Sequence, residues 1–237
     1  KFLASKDEPA RMMNFVNSWL AELWEERVDE TTDSAVAASI DSEHTAWKVP
    51  ASSLVITASV DVQKDYMRWA VFAWGRDEES WLVAEGETDS WRTLGDILFR
   101  NPWGEAKLNV RCCVIDSRHR RDEVIDFVRQ WHPVARMIAG VERDSPIPFG
   151  TVKLDKHPRT GAALPNAMIV WTVNVAFFKD LVAARFAKAK QKELRAGRIH
   201  LPADLREEFA TELVAEHKVR ERSRNKERLR WVLKPGH

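Results

Sequence analysis

The sequence predicts a mixed α/β fold: an antiparallel three-stranded meander continued by parallel strands and flanked by helices. Three observations carry that expectation. Two β-branched and aromatic runs, 54–62 and 66–74, are separated only by Gln63, Lys64 and Asp65, as in an antiparallel hairpin. A third run follows at 81–85. Then come an apolar segment at 110–115, a helical period at Val124, Phe127, Val128 and Trp131, and another strand at 134–141. Strand, helix, strand in that order is a right-handed parallel crossover.

The chain's 237 residues have room for one large domain or two small ones. Lys and Arg total 37, Asp and Glu 36, and 44% of residues are hydrophobic, a balance that excludes whole-chain disorder. No stretch approaches the roughly 18–20 apolar residues of a membrane span, and 1–9 holds no apolar signal core. The reading therefore expects a soluble intracellular protein without a membrane partner.

Taken in order, Phe15, Val16, Trp19, Leu20, Leu23 and Trp24 predict an amphipathic helix over 11–26. The acidic, Thr/Ser/Ala-rich stretch 28–42 reads as a linker, so 1–48 is set apart from a globular body at 49–237. After the meander, a helix is expected at 91–99. The strand at 110–115 is apolar on both faces beyond its start, which marks a buried strand. Its neighbours Cys112 and Cys113 point to opposite faces, which excludes a bond between them and suits buried structural thiols. Residues 144–166 hold four of the ten prolines, two glycines and Lys153, Lys156 and Arg159, and read as a long loop. A strand at 168–173, a helix at 175–194 stopped by Gly197, a strand at 199–201, a helix at 202–213 and a hairpin of 214–222 with 229–233 complete the chain.

The informative residues are Asp61 and Asp116. Each closes an apolar strand, where a carboxylate has to emerge from the sheet unless it is paired. On neighbouring parallel strands the two would converge at the carboxyl ends, where α/β sheets build their sites. Close carboxylates repel unless a cation lies between them, and hard oxygen ligands favour magnesium or manganese, two of which can drive phosphodiester hydrolysis. The alternative is that each Asp only caps a turn or the next helix. Glu85 and Glu87 end the third strand, as further ligands or as charges on an edge strand. Lys153, Lys156 and Arg159 suit either phosphate contacts or loop solubility. The histidines form no i, i+4 pair beside an acid, no Gly-x-Ser-x-Gly elbow occurs, and most of the eleven tryptophans sit at packing positions. No G-x-x-x-x-G-K-[ST] phosphate loop is present.

An Asp ending the first meander strand and another ending the fourth resemble the ribonuclease H-like nuclease fold. More closely, PASSLVITASVDVQKDYMRWAVFAWG, SWLVAEGE, CCVIDSRHRRDEVIDFVR, WTVNVAFFKDLV and GRIHLPADLREEFATELVAEHKV resemble, in order, the nuclease region of lambda-type phage large terminase subunits. FVNSWLAELWEE resembles the segment joining ATPase to nuclease there. The likeness runs from Phe2 to Lys234, with VDVQ and GRIHLP…LVAEHKV its more specific parts. It implies a metal-dependent endonuclease that cuts double-stranded viral DNA concatemers during packaging, with Asp61 and Asp116 as catalytic metal ligands for Mg2+ or Mn2+, two ions in all. Lys179, in the NVAFFK block, is a phosphate-contact candidate. Implied partners are double-stranded DNA, a small terminase subunit, the portal and procapsid, and the ATPase domain of the same protein, in the host cytoplasm. The sequence departs from the family twice. The family pattern places a third catalytic Asp on a helix after the last strand, whereas 231–237 carry none, so this reading expects a nuclease fragment. Arg118 stands where the family commonly has Gly. A catalytically silent DNA-binding or assembly module, and a resolvase or transposase-type nuclease of the same fold, are the alternatives.

Overall fold

The structure, a computed structural model, describes residues 26–142, 147–157, 159–189, 195–223 and 226–235. The helix expected at 11–26 lies almost entirely outside the described residues.

Chain order is β1 (Glu26–Glu30), α1 (Asp33–Ser39), β2 (Ile40–Asp41), β3 (Val55–Val62), β4 (Met67–Trp74), β5 (Ser80–Thr88), α2 (Trp91–Gly95) running into a π-turn (Asp96–Arg100), β6 (Val110–Asp116), α3 (Arg121–Gln130), β7 (Ala135–Val141), β8 (Phe149–Lys156), β9 (Ala163–Asn174), α4 (Val175–Lys188), β10 (Ile199–Pro202), α5 (Glu207–Leu213), β11 (Glu216–Ser223) and β12 (Lys226–Leu233). A nine-stranded sheet runs β2-β10-β5-β4-β3-β6-β7-β9-β8, and a three-stranded sheet runs β1-β11-β12. The antiparallel meander β3–β4–β5, joined to parallel β6 and β7, is the expected ribonuclease H-like arrangement.

Alternating burial builds the first two strands of the meander, while β5 is buried continuously from Ser80 to Ala84. In β3, Ile56, Ala58, Val60 and Val62 are buried while Asp61 is exposed, and in β4 Met67, Trp69, Val71 and Ala73 are buried. The buried set packs with Ile115 and Met137 against Leu94 and Leu98 of the α2 segment and Val124 and Phe127 of α3, forming the main core on one sheet face. The opposite face carries α4, whose Phe186 joins Leu82, Leu201 and Val36 in a second core. Arg185 of α4 is only 8% exposed. Its Nε donates to the Gly197 carbonyl at 2.9 Å, its guanidinium also reaches the Glu78 carbonyl and Ser80 Oγ (3.2 Å), and it lies 5.0 Å over the Trp74 ring.

Gly86 of β5 faces Trp69 of β4, and a Cβ there would stand 2.8 Å from Trp69 Cζ2. The ring is buried and cannot swing aside, so Gly86→Ala is expected to cost about 1–3 kcal/mol by overpacking, measurable in urea unfolding as a lowered midpoint at unchanged slope.

Four expectations are corrected. The 28–42 stretch is not an unstructured linker: β1 pairs with β11, Thr32 Oγ1 caps α1 by accepting from Ala35 N (3.2 Å), and β2 pairs with β10. The loop expected at 144–166 contains β8 and the start of β9, which join by pairs such as Val152 with Val170 and Leu154 with Met168. Pro148 precedes β8 and Gly161 takes a φ of 68° in the connection, so these turn formers bound the strands rather than prevent them. Helix α5 begins at Glu207 because Pro202 completes β10. The Glu85 and Glu87 strand is not an edge, since β10 and then β2 extend the sheet beyond it. Cys113 is buried, and that burial, with Cys112 beside it, pushes its thiol far above the ordinary range, as an inert packing residue. No helix among the described residues is long and apolar enough to cross a membrane.

Candidate active site

The β3–β6 register decides the site. Val60 lies opposite Ile115 in parallel pairing, so one step further Asp61 and Asp116 stand side by side at the carboxyl ends of adjacent strands. Pairing of Asp61 with Arg68, Arg68 with Glu87, and Asp116 with Ile138 extends this into one row across the same face. Asp61 is exposed and Asp116 half-buried.

Local chemistry orients both carboxylates. Gln63 Nε2 donates to Asp61 Oδ2 at 2.6 Å, and the Arg118 backbone N–H donates to Asp116 Oδ1 at 3.2 Å, the i to i+2 bond of an Asx turn. Burial is the largest influence on Asp116 and raises its pKa, with the charge of Asp61 adding to it against the Arg118 N–H and guanidinium. Neither carboxylate has an ion-pair partner among the described residues. Two carboxylates without an ion pair at one strand-end position fit a hard divalent cation. Among the described residues no group of three or more His, Cys, Asp or Glu is arranged to hold a metal ion, so Asp61 and Asp116 are the two carboxylates that would hold one here.

The sign of the Asp116 shift makes a prediction. A carboxyl whose folded pKa is raised costs stability once it is ionised, above that pKa, and the cost is relieved as pH falls through it. In EDTA at neutral pH, Asp116→Asn should therefore raise the Tm, and the gain should disappear at acid pH; an unchanged or lowered Tm at neutral pH contradicts it.

Beside the pair opens a cleft of about 950 Å³ between the sheet and α4, bordered by Asp61, Asp116, Arg118, Phe178, Leu181 and Val182. Glu85 and Glu87 also border it, but both are neutralised: Arg206 forks onto Glu85, and Arg68 binds Glu87 at 2.9 Å while also reaching Glu212.

The four candidate phosphate contacts separate. Lys153 and Lys156 on β8 are exposed, with no acidic partner among the described residues. Arg159 pairs with Asp122 in the first turn of α3 at 3.1 Å, and Lys179 pairs with Glu216. His200, which sequence spacing passed over, sits between Asp41 (3.1 Å) and Glu79 (2.9 Å) near the β2 edge and ties β2, β10 and the β4–β5 turn. Those acids are remote from it in sequence, which hid the cluster. Gln63 was discoverable as the residue two beyond Asp61, whereas Gly140, whose carbonyl holds the Arg118 guanidinium, carries no side-chain signal at all.

Across residues 1–237 the chain matches the family described as terminase large subunit gpA, endonuclease domain. It is 35% identical over 82 residues to the terminase large subunit of Escherichia phage lambda, covering 35% of this chain and 13% of that protein. It is 34% identical over 97 residues to the terminase large subunit of Enterobacteria phage P21, covering 39% of this chain and 15% of that protein. The matched segments thus span about one seventh of these relatives. The HK97 bacteriophage large terminase structure aligns over 96% of this chain and 44% of its own, at 10% identity and a TM-score of 0.39.

Proposed function

Since the chain belongs to the family of gpA-type terminase large-subunit endonuclease domains, we propose that it hydrolyses double-stranded DNA by a metal-dependent reaction centred on Asp61 and Asp116. The observation that supports this reading most is the side-by-side placement of the two aspartates at the ends of β3 and β6. Asp61 and Asp116 would hold Mg2+ or Mn2+, two ions in this proposal, which would supply Lewis-acid polarisation of the phosphate and a water of lowered pKa. The protein's own contribution is orientation. Gln63 fixes the Asp61 carboxylate and the Arg118 N–H fixes that of Asp116, so their remaining lone pairs need no reorganisation when substrate arrives. In the hydrolysis the water oxygen bonds to phosphorus and gives up a proton to solvent, the P–O bond to the leaving strand breaks, and the leaving oxygen takes a proton from solvent. Exposed Lys153 and Lys156 hold the duplex through its phosphates, with Arg159 and Lys179 contributing where DNA outcompetes their acidic partners.

In this proposal the substrate is the concatemeric phage genome during packaging in the host cytoplasm, and cut-site choice comes from a small terminase subunit and the portal. In the same proposal an ATPase domain of the same protein is a partner and supplies ATP hydrolysis. The direct test is nicking of supercoiled plasmid in Mg2+, Mn2+ and EDTA. Nicking with either metal and none in EDTA supports the proposal. One observation favours a second reading, a silent DNA-binding module: no third acid joins the pair among the described residues. Salt-sensitive DNA binding with no nicking in either metal would establish that reading instead.

A further inference from the structure

Arg118 occupies an unusual seat. Its guanidinium donates to the Gly140 carbonyl on β7, two residues beyond the Ile138 that pairs with Asp116. By backbone spacing that anchors it about 7 Å along the strands and about 5 Å across from Asp116, roughly 9 Å in all, close enough for its charge to act on the Asp116 carboxyl. The side chain is exposed, borders the cleft with both aspartates, and has no carboxylate partner among the described residues. Its neighbour Arg120 is spent on Glu123 and the Trp91 ring. The seat depends on a glycine: a Cβ at Gly140 would come 3.0 Å from an Arg118 guanidinium nitrogen and 2.8 Å from Val175 Cγ2. A neutral carbonyl therefore holds a full positive charge in place beside two carboxylates, without cancelling it.

We propose that Arg118 is a catalytic residue of this chain, a cation that grips a non-bridging oxygen of the phosphate held at Asp61 and Asp116. Resting on the function proposed above, this deepens it. The acid pair alone repels a polyanion; Arg118 supplies an anion contact that needs no metal, and it offsets charge that builds on the phosphoryl oxygens as the water bonds to phosphorus. The bland alternative, that Arg118 only staples the β6–α3 turn to β7, predicts a stability effect and no polyanion effect.

The test uses the whole chain with Arg118→Ala, Arg118→Gly and Arg118→Lys. Affinity for a short duplex is measured in EDTA over a salt series, with Tm and manganese affinity by titration calorimetry alongside. One phosphate contact releases about 0.9 counterion, so at roughly 0.1 M salt its loss weakens binding about eightfold and lowers the salt slope by about 1. Arg118→Ala and Arg118→Gly are expected to show both changes while binding manganese at least as tightly as the parent, because a neighbouring cation has been removed. Arg118→Lys should keep most of the affinity and the full slope. Parent-like affinity and slope in Arg118→Ala, or an equal loss in Arg118→Lys accompanied by a fall in Tm, overturns the proposal. Failure of the underlying site reading shows separately, as nicking that survives Asp61→Ala. Failure of the Arg118 reading alone shows as parent-like binding by Arg118→Ala in a chain whose nicking does depend on Asp61.

Discussion

Asp61→Ala and Asp116→Ala should each reduce metal-dependent DNA cleavage by about 10³-fold or more, with little loss of folded protein. The magnitude follows from the proposed role of the pair as the ion's oxygen donors among the described residues: losing one removes several kcal/mol of transition-state stabilisation, at tenfold per ~1.4 kcal/mol. Neither change opens the core, since Asp61 is exposed and the Asp116 carboxyl is held against the preference of its surroundings. Under the proposal that both hold one ion site, the double mutant should be no more than a few-fold worse than either single mutant. Cleavage within tenfold of the parent in either single mutant, in Mg2+ or Mn2+, would place the chemistry elsewhere.

The second large effect is on stability, at Arg185. This side chain is buried and meets three oxygen acceptors at the junction of α4, the β4–β5 turn and the segment ahead of β10, while covering the Trp74 ring. Burial lowers its pKa, yet the guanidinium stays charged and keeps its donors. Arg185→Ala strands the buried Gly197 carbonyl, removes the bonds to the Glu78 carbonyl and Ser80 Oγ and leaves a void, which should cost about 3 kcal/mol and lower the Tm by roughly 6–12 °C in a domain of this size. Arg185→Lys reaches fewer of the acceptors and should recover only part of the loss. A Tm within about 2 °C of the parent for Arg185→Ala would show that α4 is held by Phe186 and its apolar neighbours alone.

The parts of the fold that were legible in the sequence are those with a dense local signal. In β3 and β4 the β-branched and aromatic runs around a three-residue connection marked both strands and their hairpin, and the unbroken run from Cys112 to Ile115 announced a central strand. Asp61 and Asp116 were visible for the same reason: a charge at the end of an apolar run has few places to go. What stayed hidden depends on long-range pairing. β1 and β2 have almost no pattern of their own and exist because β11 and β10 offer hydrogen-bonding edges. β8 was masked by turn formers that lie at its ends, and its alternation of Gly150, Val152 and Leu154 with polar residues becomes meaningful only once β9 lies beside it. At the site, the neutralisation of Glu85 by Arg206, 121 residues away, and the Gly140 seat of Arg118 cannot be read from local spacing.

The most direct test of the central claim is anomalous diffraction from crystals of this chain soaked in MnCl2. The account predicts an anomalous peak between β3 and β6, with oxygens of both Asp61 and Asp116 within about 2.0–2.3 Å of the ion, and its loss in Asp61→Asn crystals soaked alike. A manganese peak at other residues, with the Asp61–Asp116 position empty at saturating metal, would contradict it.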